Sequence, residues 1–86
     1  MDYAVIDVRE PDEYASGHVK NAINIPLGRV MHGATELDDV PKETNIIVYC
    51  RSGGRAGIAE KALRQQGFTE VTNGINKEQV KVKFGL

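Results

Sequence analysis

Asn45-Ile46-Ile47-Val48-Tyr49-Cys50-Arg51-Ser52-Gly53-Gly54-Arg55-Ala56 passes from an apolar, β-branched run into a charged turn carrying two glycines. Residues 45–49 read as the strongest strand in the chain. The turn Arg51-Ser52-Gly53-Gly54 opens a helix expected from about Arg55 to Gln66. Ile58, Ala59, Ala62 and Leu63 recur there at spacings of three and four and form an apolar face. Glu60 and Arg64 make an i, i+4 pair on the other side, and Gly67 is placed to cap the end. A buried strand that runs through a tight turn into a helix is the unit from which α/β folds are built.

Upstream, Ala4-Val5-Ile6-Asp7-Val8 reads as a second buried strand. In Glu10-Pro11-Asp12-Glu13-Tyr14, Pro11 suits the first turn of a helix and the acids suit its positive end, while Gly17 stops it. Ala22-Ile23-Asn24-Ile25 is a further strand, closed by Pro26. Leu27 to Leu37 is mixed, with Gly28 and Gly33 leaving a short, imperfect helix. Asp38-Asp39-Val40-Pro41 reads as a loop. Downstream, Phe68 to Val71 reads as the last strand, and the basic tail from Asn76 to Leu86 as one more helix. Strands alternating with helices predict a three-layer α/β sandwich, a small, largely parallel sheet with helices on both faces. Ligands then sit at the strand carboxyl ends.

The chain has 86 residues, room for one small domain over residues 1–86 and not for two cores. Its 11 basic and 12 acidic residues give a net charge of -1 with no like-charged run, so no nucleic-acid or membrane partner is expected. The apolar run 46–50 is far short of the ~20 residues a membrane helix needs. No apolar leader follows Met1, which predicts a cytoplasmic protein as the chain is written, or a periplasmic one after removal of a leader. With 1 cysteine and 2 histidines there is no disulfide and no zinc-like cluster, so no metal and no cofactor are expected. Nothing in the chain requires more than a monomer.

Cys50 stands where the best strand ends and the best helix begins. Backbone N–H groups at a helix start lack intrahelical partners and favour negative charge, which lowers the pKa of a thiol placed there. Gly53 and Gly54 allow a tight turn whose N–H groups point inward. Arg51 and Arg55 keep their charge and would attract an anion, and the Ser52 hydroxyl could donate to sulfur. An inert buried cysteine, a plain βα turn and two solvated arginines fit the same residues.

Two segments resemble the rhodanese family. Asp7-Val8-Arg9-Glu10-Pro11-Asp12-Glu13-Tyr14, with Gly17-His18-Val19 and Asn21-Ala22-Ile23-Asn24-Ile25-Pro26, is similar to its N-terminal signature, and Val48 to Ala56 to its active-site segment. The resemblance spans about Ile6 to Gly74. It implies a sulfurtransferase in which Cys50 takes the outer sulfur of thiosulfate, becomes a persulfide, and passes that sulfur to cyanide, a thiol or a protein acceptor. Cys50-Arg51-Ser52-Gly53-Gly54-Arg55 would cradle the persulfide. It also implies that Asp7 and Arg9 support the fold near the loop, with Arg9 pairing a carboxylate, in preference to direct catalysis. His18 belongs to the N-terminal signature and reads as structural, and His32 has no partner that can be named.

The nearest chemical rival is a cysteine phosphatase or arsenate reductase, whose loop places five residues between cysteine and arginine. Here four residues separate Cys50 from Arg55, position 56 is alanine, and Tyr49 stands where phosphatases often carry histidine. A persulfide carrier in a protein relay and a non-catalytic interaction module are the other readings, the last disfavoured by the intact cysteine loop. The chain departs from the family in two places. Many members carry paired glycines and a tryptophan after the last strand, whereas this chain reads Asn73-Gly74-Ile75-Asn76 and has no tryptophan. The first strand and helix of longer members are also missing, which leaves one sheet edge short or uncovered.

Overall fold

The apolar runs become four strands, β1 (Tyr3–Asp7), β2 (Ile23–Asn24), β3 (Asn45–Cys50) and β4 (Val71–Asn76), in a computed structural model that describes residues 3–86. Their order across the sheet is β2-β1-β3-β4, and every neighbouring pair is parallel. Four helices alternate with them: α1 (Pro11–Ala15), α2 (Leu27–Met31), α3 (Gly54–Gln65) and α4 (Lys77–Phe84). A single 3-10 turn at Thr35–Leu37 follows α2, so the mixed segment is a broken helix, as its glycines imply.

Side chains alternate across a strand, and β3 divides the core accordingly. Ile46, Val48 and Cys50 pack with Ile6, Val8, Val30, Ala56, Ala59, Ala62 and Leu63, which places α2 and α3 on one face. Ile47 and Tyr49 pack with Val5, Val19, Ala22 and Val80, with Tyr14 and Phe84 against them, which places α1 and α4 on the other. The result is the expected three-layer sandwich, with β3 buried at its centre and its carboxyl end opening into the start of α3.

Two expectations require correction. Ile58 does not belong to the inward face of α3. It is 49% exposed, while Ala56, Ala59, Ala62 and Leu63 are buried. One residue turns a helix by about 100°, which carries Ile58 off the stripe that Ala59 occupies. The last strand is Val71–Asn76 and not Phe68–Val71. Phe68 N–H donates to Leu63 O and its ring fills the core, so this residue closes α3 and does not start a strand. The pair Asn73-Gly74 lies inside the strand. Gly74 is required there because a Cβ would come within 2.5 Å of Val80 Cγ2 and 3.0 Å of Ile47 Cγ2.

Candidate active site

β3 delivers Cys50 to the carboxyl edge of the sheet, and the chain reverses immediately. Gly53 is the N-cap of α3 with φ 94°, a left-handed conformation that favours glycine. Gly53 N–H donates to Cys50 Sγ at 3.1 Å. Gly53 O accepts from Gly57 N–H at 2.9 Å, as the first bond of the helix, and from Asn73 Nδ2 at 3.0 Å. The turn is therefore tied both to its own helix and to the neighbouring strand.

Opposed effects set the thiol. Burial pushes Cys50 up, and the backbone N–H groups of Ala56, Ser52, Gly53 and Arg55 pull it down. The amides together outweigh burial, and the pKa lies below its ordinary value. It is the Ser52 N–H that acts on sulfur. The Ser52 hydroxyl makes no hydrogen bond to Sγ, contrary to the expectation that it would donate, because the turn aims amides inward.

Arg55 also differs from expectation. Its Nη1 and Nη2 donate to Glu13 Oε1 and Oε2 at 2.7 and 3.1 Å, so much of the guanidinium's charge is matched by a carboxylate. Glu10 N–H donates to the same Oε1 at 2.9 Å, which fixes Glu13 at the first turn of α1. The Arg55 hydrogen bonds, then that amide, lower the Glu13 pKa to about 2. Arg51 stands exposed at the mouth without an ion-pair partner among the described residues.

Below the loop, Asp7 and Arg9 form a buried pair. Arg9 Nε and Nη2 donate to Asp7 Oδ1 and Oδ2 at 2.9 and 2.6 Å, and Nη2 also donates to Gly17 O at 2.7 Å. Tyr49 OH donates to Asp7 Oδ2 at 2.9 Å and accepts Val19 N–H at 3.0 Å. Burial pushes the Tyr49 hydroxyl up to about 12, so it stays a donor. His18 stacks on Tyr14 with a centroid separation of 3.6 Å, and the His32 ring bonds Gly28 O. Neither histidine lines the cleft.

That cleft has a volume of about 470 Å³ and is lined by Arg9, Glu13, Ser16, Cys50, Arg51, Asn76, Lys77 and Glu78. Cys50 is at its floor, 2% exposed. A second concavity of about 540 Å³, near Pro11, Pro26, Arg29 and His32, contains no cysteine. Glu13, Asn73, Asn76 and Lys77 were not singled out by sequence. The one available signal was for Lys77, a basic residue in the first turn of a helix, where cations are disfavoured.

A cysteine whose sulfur faces the amides of a short glycine-bearing loop, at the carboxyl end of a parallel sheet, defines a class that the comparisons identify. The model of the rhodanese-like domain matches residues 1–76, and the chain belongs to that family. It is 44% identical over 69 residues to the thiosulfate sulfurtransferase PspE of Escherichia coli, covering 79% of this chain and 64% of that protein. It is 38% identical over 69 residues to the sulfur carrier protein YrkF of Bacillus subtilis, named there as putative, covering 80% of this chain and 36% of that protein. The chain thus spans less than two thirds of either relative. Among solved structures, a rhodanese with anions from Escherichia coli superposes with a TM-score of 0.80 at 35% identity, covering 91% of both chains.

Proposed function

We propose that the chain is a thiosulfate sulfurtransferase and that residues 1–86 act as one such domain. The observation that carries this reading is the Cys50 sulfur, held at 3.1 Å from Gly53 N–H on the floor of a polar cleft. The Cys50 thiolate attacks the outer sulfur of thiosulfate. A new sulfur–sulfur bond forms to Cys50, the bond within thiosulfate breaks, and its electron pair leaves with sulfite. In the second half-reaction cyanide attacks the outer persulfide sulfur, giving thiocyanate and restoring the thiolate. Covalent catalysis divides one difficult transfer into two steps.

In this reading Cys50 is the catalytic residue and the backbone of Arg51, Ser52, Gly53, Gly54 and Arg55 cradles the persulfide charge. Asp7 and Arg9 support the loop from beneath. The donor is a small anion and the acceptor a thiophile, with no cofactor. A second reading, a persulfide carrier feeding a protein acceptor, is favoured by one specific finding, the sulfur-carrier name of the Bacillus subtilis relative.

Intact-protein mass spectrometry before and after incubation with thiosulfate tests the mechanism. The wild type should gain one sulfur atom and lose it to cyanide, and Cys50→Ser should gain none. A sulfur adduct on the serine variant would overturn the assignment of the nucleophile. Discharge onto a protein thiol but not onto cyanide would favour the carrier.

A further inference from the structure

Lys77 is the first residue of α4, and three observations single it out. First, its position opposes the local electrostatics. A helix N-terminus carries partial positive charge, and a lysine there costs stability. Residues that break such a rule without a compensating contact concentrate at functional sites. Second, the ammonium has no compensating contact. Among the described residues the Lys77 ammonium has no hydrogen bond and no ion pair, although Glu78 is its neighbour. Third, the side chain lies along the fold and does not project straight into solvent. Lys77 is half-buried, and its Nζ lies against Gly17, within 3.1 Å of where a Cβ on that residue would stand. The Gly17 segment is itself tethered to Arg9, because Gly17 O accepts from Arg9 Nη2.

The charges around the cleft show what this cation has to offer. Arg9 is matched by Asp7 and Arg55 by Glu13, both at hydrogen-bond distance. The cations left unmatched among the cleft-lining residues are Arg51, on the loop side, and Lys77, on the α4 side. Both line the cleft that contains Cys50. A dianion that enters with its sulfur toward Cys50 leaves its oxygen-bearing end for the cations of the cleft wall.

We propose that Lys77 is a specificity-determining residue, which with Arg51 holds the oxyanion end of an anionic sulfur donor above Cys50. This rests on the sulfurtransferase reading and names the part of the site that selects the donor's charge. It gives the cleft cations whose charge is not already matched, as that of Arg55 is by Glu13.

Lys77→Met keeps the length of the side chain and removes the charge, and Lys77→Arg restores it. Two readouts are needed. In steady-state transfer from thiosulfate to cyanide, Lys77→Met should raise KM for thiosulfate about tenfold, the loss expected for one charge-assisted contact, and leave KM for cyanide within about twofold. Lys77→Arg should recover most of the loss. The second readout does not require sulfur transfer. The ratio of Cys50 alkylation rates by iodoacetate, an anion, and iodoacetamide, which is neutral, should fall several-fold in Lys77→Met, with the iodoacetamide rate unchanged. An unchanged KM or an unchanged alkylation ratio would overturn the proposal, as would equal losses with both alkylating reagents, which would mean a distorted loop. If the wild type accepts no sulfur from thiosulfate, the sulfurtransferase reading fails by itself, and the alkylation ratio alone decides whether Lys77 selects anions.

Discussion

Cys50 is a small residue in a dry place, and on burial alone it would be an inert thiol. What changes its chemistry is the direction of a few amides, and that direction depends on Gly53 holding φ at 94°. The pH dependence of alkylation by iodoacetamide should therefore have its midpoint below that of the unfolded protein's thiol, because only the thiolate reacts. Gly53→Ala places a Cβ where φ is unfavourable for an L residue and 3.4 Å from Ile75 Cγ2. The strained turn should release its N–H from sulfur, and the midpoint should move up toward the free value. A midpoint that is the same in both proteins would show that the amide of residue 53 does not sustain the thiolate. The Gly53 requirement was legible in sequence, since a glycine between a strand and a helix has few other reasons to be there. The Arg55 partner was not. Nothing local marks Glu13 as its carboxylate, 42 residues away.

At the scale of the element, β4 carries the least ordinary backbone in the chain. Its pairing with β3 shifts register between Val48 and Tyr49, and Ile75 has φ 74°. A β-branched side chain in that region costs roughly 1–2 kcal/mol. Its N–H is satisfied within the strand by Asn73 Oδ1 at 2.9 Å, and its side chain covers Gly53. Adjacent substitutions should then act in opposite directions. Ile75→Gly should stabilise by roughly 0.5–1 kcal/mol, the relieved strain less the extra chain entropy of glycine. Gly74→Ala should destabilise by about 1–3 kcal/mol, the usual cost of overpacking, because its Cβ would meet Val80 and Ile47. Urea unfolding midpoints measure both, and a destabilised Ile75→Gly would show that the side chain's cover of Gly53 outweighs its strain. This element also explains the misplaced strand. Val71 and Ile75 are the only apolar side chains from Val71 to Asn76, one of them 36% exposed, so alternation could not announce it. Its place comes from pairing with β3, which sequence pattern does not record.

Across the whole molecule, every strand points its carboxyl end at the same edge, and the elements from both faces meet there. α3 arrives from one face with Arg55, and α1 from the other with Glu13, so their ion pair bridges the two helix layers over the end of the sheet. The layers, the parallel order and the Cys50 loop were readable from periodicity, glycines and one cysteine. The cleft wall made by Glu13, Asn76 and Lys77 was not, because it exists only once α1 and α4 pack on the same face. The Glu13–Arg55 bridge has a pH signature. The Glu13 pKa is lowered from 4.5 to about 2 on folding, so the unfolded chain takes up a proton first as pH falls. The stability this carboxylate contributes is fully present above about 4.5 and is lost as pH drops through about 2. Glu13→Gln removes the titrating group and leaves the rest of the acid response intact. Its urea midpoint should lie below that of the wild type at pH 7, and the gap should narrow steadily between pH 5 and pH 2.5. Parallel curves for the two proteins across that window would mean that the bridge contributes nothing to holding α1 against the loop. The cleft would then owe its shape to the buried Asp7–Arg9–Tyr49 network and to the ties of Gly53 to Asn73 and Gly57.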